Sequence, residues 1–117
     1  MKIYVAGPMR GFPEFNYPAF HEAARLLRAK GHHVFSPAEF DGIFSPAVED
    51  PNGLITAHPI HTYIRRDTHL IINELIPPND GIALLPGWEA SKGVYAERAL
   101  ALWCELKVES LEWWLAQ

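Results

Sequence analysis

Leu84-Leu85-Pro86-Gly87-Trp88-Glu89-Ala90-Ser91-Lys92-Gly93-Val94-Tyr95-Ala96-Glu97 is the stretch on which the reading of this chain turns. Gly81–Leu85 is a short apolar run that reads as a strand buried on both faces. Pro86-Gly87 breaks it, and Ser91 then opens a helix whose second turn carries Glu97. The first amide N–H groups of a helix have no partner inside it, so a serine and a glycine at that end form a ready anion site. A carboxylate six residues past Ser91 lies about 9 Å further along the axis, which is the scale of a sugar phosphate. The plainer alternative is a serine N-cap followed by a solvated helix glutamate.

Working outward, the same alternation recurs. Ile3–Ala6 reads as a buried strand ended by Gly7-Pro8. Phe20, Ala23, Ala24, Leu26 and Leu27 share a helical face, with Glu22, Arg25, Arg28 and Lys30 opposite and Gly31 just beyond the end. His33-Val34-Phe35 is a second strand, stopped by Ser36-Pro37. Ala38–Pro59 carries Gly42, Pro46, Pro51 and Gly53 without a sustained period and reads as a long loop. Ile60–Leu75 fits a second helix, with Ile60, Ile64, Leu70, Ile71 and Leu75 expected inside. Ser91–Leu106 is the third helix, with Cys104 expected as a small buried residue, and Lys107–Leu111 is a last short strand.

Strand and helix in alternation predict an α/β fold, a parallel sheet with helices on both faces. In such sheets ligands bind outside the carboxyl ends of the strands. Three segments fall there: Gly7–Gly11, Pro37–Asp41 and Pro86–Ser91. Their convergence on one edge favours a ligand role for Ser91 and Glu97 over the plain cap.

Composition narrows the function classes. The 117 residues suit one domain, 1–117, with a real core. A net charge of −4 argues against binding nucleic acid through bulk electrostatics. One cysteine allows neither an intrachain disulfide nor a cysteine-built zinc site. The polar-flanked start does not resemble a signal peptide and no apolar run reaches membrane-spanning length, so no membrane partner and a cytoplasmic location are expected.

Several residues are candidates for chemistry. Arg10, in Gly7-Pro8-Met9-Arg10-Gly11, can meet a phosphate in bidentate fashion, or it is a solvated arginine in a turn. Asp67 follows Arg65-Arg66, the pattern of a surface ion pair, but with Glu97 it makes the two carboxylates that work at an anomeric carbon needs. His58, His61 and His69 invite a metal reading, against which no third ligand of recognised spacing stands, so no metal is expected. Trp88, Tyr4, Phe12, Phe15 and Phe40 are candidate stacking walls for a flat base; Trp88 is the best of them, because it sits in a strand-end loop. The tail Trp113-Trp114-Leu115 is too apolar to fray into solvent. Docking against a second subunit is expected in preference to folding back on its own core.

Tyr4-Val5-Ala6-Gly7-Pro8-Met9-Arg10-Gly11, Phe15-Asn16-Tyr17-Pro18-Ala19-Phe20, Arg66-Asp67 and the run from Leu84 through Ser91, Gly93 and Glu97 together resemble the nucleoside 2-deoxyribosyltransferase superfamily. Within it the chain is most similar to a small subfamily common in phages and prophages. The resemblance, from Lys2 to about Val108, implies a flavodoxin-like or Rossmann-like sheet, a homodimer or higher homo-oligomer, no cofactor, and a nucleoside or nucleotide as the small-molecule partner. It implies cleavage of an N-glycosidic bond with Glu97 as nucleophile, Asp67 assisting proton transfer at the base and Tyr4 orienting the nucleophile. Gly7, Pro8, Met9, Arg10, Gly11, Trp88, Ser91 and Gly93 are the implied substrate contacts. Base-exchanging members carry an aspartate where Ser91 stands. An aspartate would repel a 5′-phosphate and a serine hydroxyl can donate to one. Nucleoside 5′-monophosphate N-hydrolases carry that serine and a Gly-x-x-Arg-Gly loop, so the resemblance tilts toward a nucleotide N-hydrolase. A base-exchanging transferase and a non-catalytic nucleotide-binding protein are the alternatives. The tail lacks the asparagine that transferases often lend to a neighbour's site.

Overall fold

β1 (Lys2–Ala6) lies between β2 (His33–Phe35) and β3 (Gly81–Leu84), and β4 (Lys107–Ser110) completes the sheet in the order β2-β1-β3-β4. All three pairings are parallel in this computed structural model, which describes residues 1–44 and 58–117. The chain winds one way from β1 to β2 and the other way to β3 and β4. The carboxyl ends of β1 and β3 therefore flank the topological switch point, where open α/β sheets form their crevice.

Alternation along the strands builds two cores. Ile3 and Val5 of β1, with Ala83 and Leu85, pack against α1 (Tyr17–Ala29) through Phe20, Ala23, Ala24 and Leu27. Tyr4 and Ala6, with Ile82 and Leu84, face the opposite layer, built from Leu70, Ile71 and Leu75 and from Val94 and Ala101 of α4 (Lys92–Trp103). Register Tyr4↔Ile82 puts Tyr4 beneath α4; a slip of one residue would turn it to the α1 side. Strand spacing forbids a side chain at Gly81, where a Cβ would stand 1.9 Å from the Lys107 carbonyl oxygen.

Four expectations are corrected. The stretch read as a loop from Ala38 begins as a helix, α2 (Pro37–Phe44), with Ala38 and Asp41 buried; positions 45–57 lie outside the described residues. The second helix is split into α3 (Ile60–His69) and a π-helical turn, Leu70–Glu74. Leu70, Ile71 and Leu75 are inside as expected, but Ile60 and Ile64 are 58% and 52% exposed, because α3 lies over the crevice and not over the sheet. Cys104 is half-buried at the C-cap of α4, which Glu105 ends in a left-handed conformation (φ 61°).

The fourth correction concerns the tail. Leu111–Leu115 is a short helix, α5, capped by Ser110, whose Oγ accepts from the Trp113 amide at 3.0 Å. Trp114 is 1% exposed in the α1-side core, and its Nε1–H donates to the Ile82 carbonyl at 2.9 Å. Leu111, Trp113 and Leu115 pack at the edge of the same core. The tail is an internal packing element: a four-stranded sheet with α1 on that face leaves room that an indole fills, with its one polar atom satisfied.

Candidate active site

At the switch point a cavity of about 720 Å³ opens between the β1 loop, α3 and the start of α4. Its floor is made by carboxylates. Glu97 projects from the second turn of α4, and the Tyr4 hydroxyl, rising from β1, donates a short hydrogen bond to its Oε2. Asp67 comes from the last turn of α3 and lies close enough to Tyr4 and Glu97 to couple to both electrostatically.

Protein surrounds most of each carboxylate on this floor, and their protonation follows. Burial pushes Glu97 up from an ordinary 4.5 to about 8. The Tyr4 hydrogen bond opposes the rise, the Asp67 charge adds to it and Arg66 opposes it. Burial likewise pushes Asp67 from 3.8 to about 6 against the pull of Arg66. Burial, with both carboxylates behind it, drives the Tyr4 phenol well above its ordinary range, so Tyr4 remains a donor. Two neighbouring acids raised in this way hold one proton between them near neutral pH.

Arg66 organises the third side. Its Nε and Nη2 both meet Asp67 Oδ1, at 2.8 and 2.7 Å, and its Nη1 pairs with Asp41 Oδ1 of α2 at 2.5 Å. The guanidinium also lies near the rings of Phe40 and Tyr63, 5.8 and 5.5 Å from their centroids. Tyr17, in the first turn of α1, donates to Asp41 Oδ2 at 3.2 Å.

The rim holds groups that the sequence offered as anion-binding candidates. Gly7, Pro8, Met9 and Arg10 line the cavity from the β1 side, and Ser91 and Gly93 from α4. Gly7 has a packing reason to be glycine, since a Cβ there would meet Leu85 at 2.7 Å. Ser91 is the N-cap of α4, its Oγ accepting from the Val94 amide at 3.2 Å, which leaves its own O–H to donate. The plain cap is what the structure shows, and it is compatible with a ligand role for the same hydroxyl. Gly11 lies beyond the lining, in a turn at φ 86°.

Trp88 is not among the lining residues. Gly87 in a left-handed conformation (φ 85°) begins a 3-10 turn, Trp88–Ala90. The indole packs on Tyr95 (centroids 5.2 Å apart), with the Arg98 guanidinium 5.7 Å from its centroid. Among the described residues, the rings that line the cavity are Phe12, Phe15, Tyr17 and Tyr63. Phe15 reaches it through a run of left-handed residues, Glu14, Phe15 and Asn16 (φ 53°, 54° and 61°), an arrangement that costs about 1–2 kcal/mol per residue. The Asn16 side chain holds this run to the β1 loop by donating to the Pro8 carbonyl at 3.0 Å. Sequence reading missed Asp41 and Tyr63 as site residues, although Pro37–Asp41 already stood at a strand end. Among the described residues, no three His, Cys, Asp or Glu side chains gather as a metal site, and the His69 ring meets Asn73 at 2.9 Å.

The model of a family described as a domain of unknown function (DUF4406) matches residues 1–110, and the chain belongs to that family. No curated protein and no solved structure matches the chain. Among the described residues no helix is long and apolar enough to cross a membrane.

Proposed function

We propose that this protein is an N-glycosidase that hydrolyses a nucleoside 5′-monophosphate, preferentially a 2′-deoxy one. The observation that carries the reading is the Tyr4–Glu97 hydrogen bond on the floor of a cavity that also holds Asp67 and, at its rim, the Ser91 end of α4. The single proton of the pair rests mainly on Glu97, whose affinity is the higher, and must shift to Asp67 before reaction; Glu97, then the anion, attacks the anomeric carbon. The glycosidic C–N bond breaks, its electron pair leaves with the base, and the proton on Asp67 passes to that base. Water then opens the glycosyl ester, losing a proton to Asp67, and the products are free base and sugar 5-phosphate. The Ser91 hydroxyl, the first amides of α4 and Arg10 supply donors for the phosphate.

The exposed residues Tyr95, Leu102 and Trp103, the last 85% exposed on α4, support the self-association that the superfamily resemblance implies. The test of the reaction is incubation with a panel of nucleosides and 5′-monophosphates, reading free base by chromatography, with and without an added second base. Base release confined to monophosphates is expected. A new nucleotide formed only when a second base is present identifies a transferase, and tight binding without base release identifies a nucleotide-binding protein.

A further inference from the structure

We infer that Asp41 is a positioning residue of this site: it shares the charge of the Arg66 guanidinium and fixes its place, so that Asp67, gripped by Arg66 through a single oxygen, can keep the proton that the base receives. This rests on the reaction proposed above. The geometry is specific. Nε and Nη2 of Arg66 converge on Asp67 Oδ1 alone, while Nη1 is spent on Asp41. Nη1 lies outside the Nε–Nη2 edge that faces Asp67, so Asp41 acts on Asp67 by sharing the Arg66 charge and holding the guanidinium in place. Asp41 is held in place from the other side by the Tyr17 hydroxyl. Its side chain is 8% exposed, against 17% for Arg66 and 18% for Asp67, so little solvent screens the chain of contacts.

A carboxylic acid that must donate a proton cannot stand beside a fully available arginine, which would hold it as the anion. Among the described residues, the groups that face Asp67 are Arg66 on α3, Asp41 on α2, Tyr4 on β1 and Glu97 on α4, with Tyr17 and Tyr63 around Asp41 and Arg66. Only Arg66 among them is a cation, and Asp41 shares its charge. Asp41 raises the affinity of Asp67 for its proton, whereas Arg66 lowers it. Burial and Asp41 push the Tyr17 phenol far above its ordinary range, which keeps it a neutral donor to Asp41 at any pH of interest.

The test is the full-length Asp41→Asn variant, read in two ways. The Asp67 side-chain carboxyl is titrated by carbon NMR without ligand, and the pH profile of base release is measured for the best monophosphate of the panel. The Asp67 midpoint is expected to fall by half a pH unit or more, and the acidic limb of the profile to move down with it, with kcat reduced more than KM is raised. Asp41→Glu restores the parent midpoint, and Arg66→Gln moves it up. Asp41→Ser reads the same downward shift should the Asn variant not fold. An unchanged Asp67 midpoint in Asp41→Asn or Asp41→Ser overturns the inference, even if activity is lost. A shifted midpoint in a protein whose parent releases no base sustains the charge relay and rejects the proposed reaction instead.

Discussion

Each face of the sheet buries one aromatic side chain with a polar tip, and the two are put to opposite uses. On the α1 side, Trp114 gives its single N–H to the Ile82 backbone, and the contact is closed. On the α4 side, Tyr4 gives its hydroxyl to Glu97, a carboxylate that burial has pushed up to about 8. Both residues are 1% exposed. The difference is the acceptor. A backbone carbonyl has no charge to lose, whereas a buried carboxylate costs free energy that can be returned when it reacts. One face is built for stability and the other carries a stability cost at a candidate catalytic floor.

The comparison breaks first at Glu97. Glu97→Gln keeps the shape and an acceptor for Tyr4, and base release is expected to fall at least about a thousandfold, roughly 4 kcal/mol of barrier. Near-parent activity in the folded variant would remove Glu97 from the chemistry. Trp114→Ala has the opposite signature. Unfolding free energy should drop by about 3–5 kcal/mol, as for other large buried aromatics, in chemical denaturation, while the folded fraction retains its turnover. A loss of turnover without loss of stability would merge the two faces into one function.

Tyr4→Phe sharpens the contrast. A hydrogen bond to a charged acceptor is worth about 1.5–3 kcal/mol, so turnover should fall roughly ten- to hundredfold. That bond lowers the proton affinity of Glu97, so its loss should move the alkaline limb of the pH profile upward. An alkaline limb that stays in place would detach Tyr4 from Glu97.

Stability against pH gives a further test. The proton affinity of Glu97 is higher folded than unfolded, so the folded state binds the extra proton and the parent should lose stability as pH rises from about 4.5 to about 8. Asp67 adds a slope of the same sign between about 3.8 and 6. Glu97→Gln should flatten the slope between pH 6 and 8, read as melting temperature across buffers, and an unchanged slope would contradict the buried carboxylate. The smallest effect is expected at the rim. Ser91→Asp preserves the N-cap but sets a negative charge beside a phosphate. Selectivity for monophosphate over nucleoside should drop about tenfold or less, given solvent screening at an open rim. An unaltered ratio would move the phosphate elsewhere.

Short-range signals carried much of this protein. Ile3–Ala6 and Gly81–Leu85 are continuous apolar runs bounded by Gly and Pro, too short for a helix, and they became β1 and β3. Helical period and Gly31 located α1, and Ser91 located the start of α4. The superfamily resemblance marked Glu97 and Tyr4 as candidate site residues, and the packing of α4 over β1 brings them into one hydrogen bond. Long-range placement decided the rest. Ile60 and Ile64 have the period of a core face, but period does not say whether that face meets the sheet or the crevice. Trp114 is as apolar as an interface residue, and only the gap left beside α1 made it core. Trp88 sits at the right strand end, yet one left-handed glycine turns its ring away. Asp41 was hidden for a similar reason. Its role depends on Arg66, 25 residues further along the chain, and a carboxylate's meaning is set by which charge the fold puts beside it. Sequence by itself determined which segments could be strands and helices, because backbone sterics and burial act over a few residues. Tertiary structure alone decided which polar atoms share one cavity floor, because that depends on how the layers close over one another.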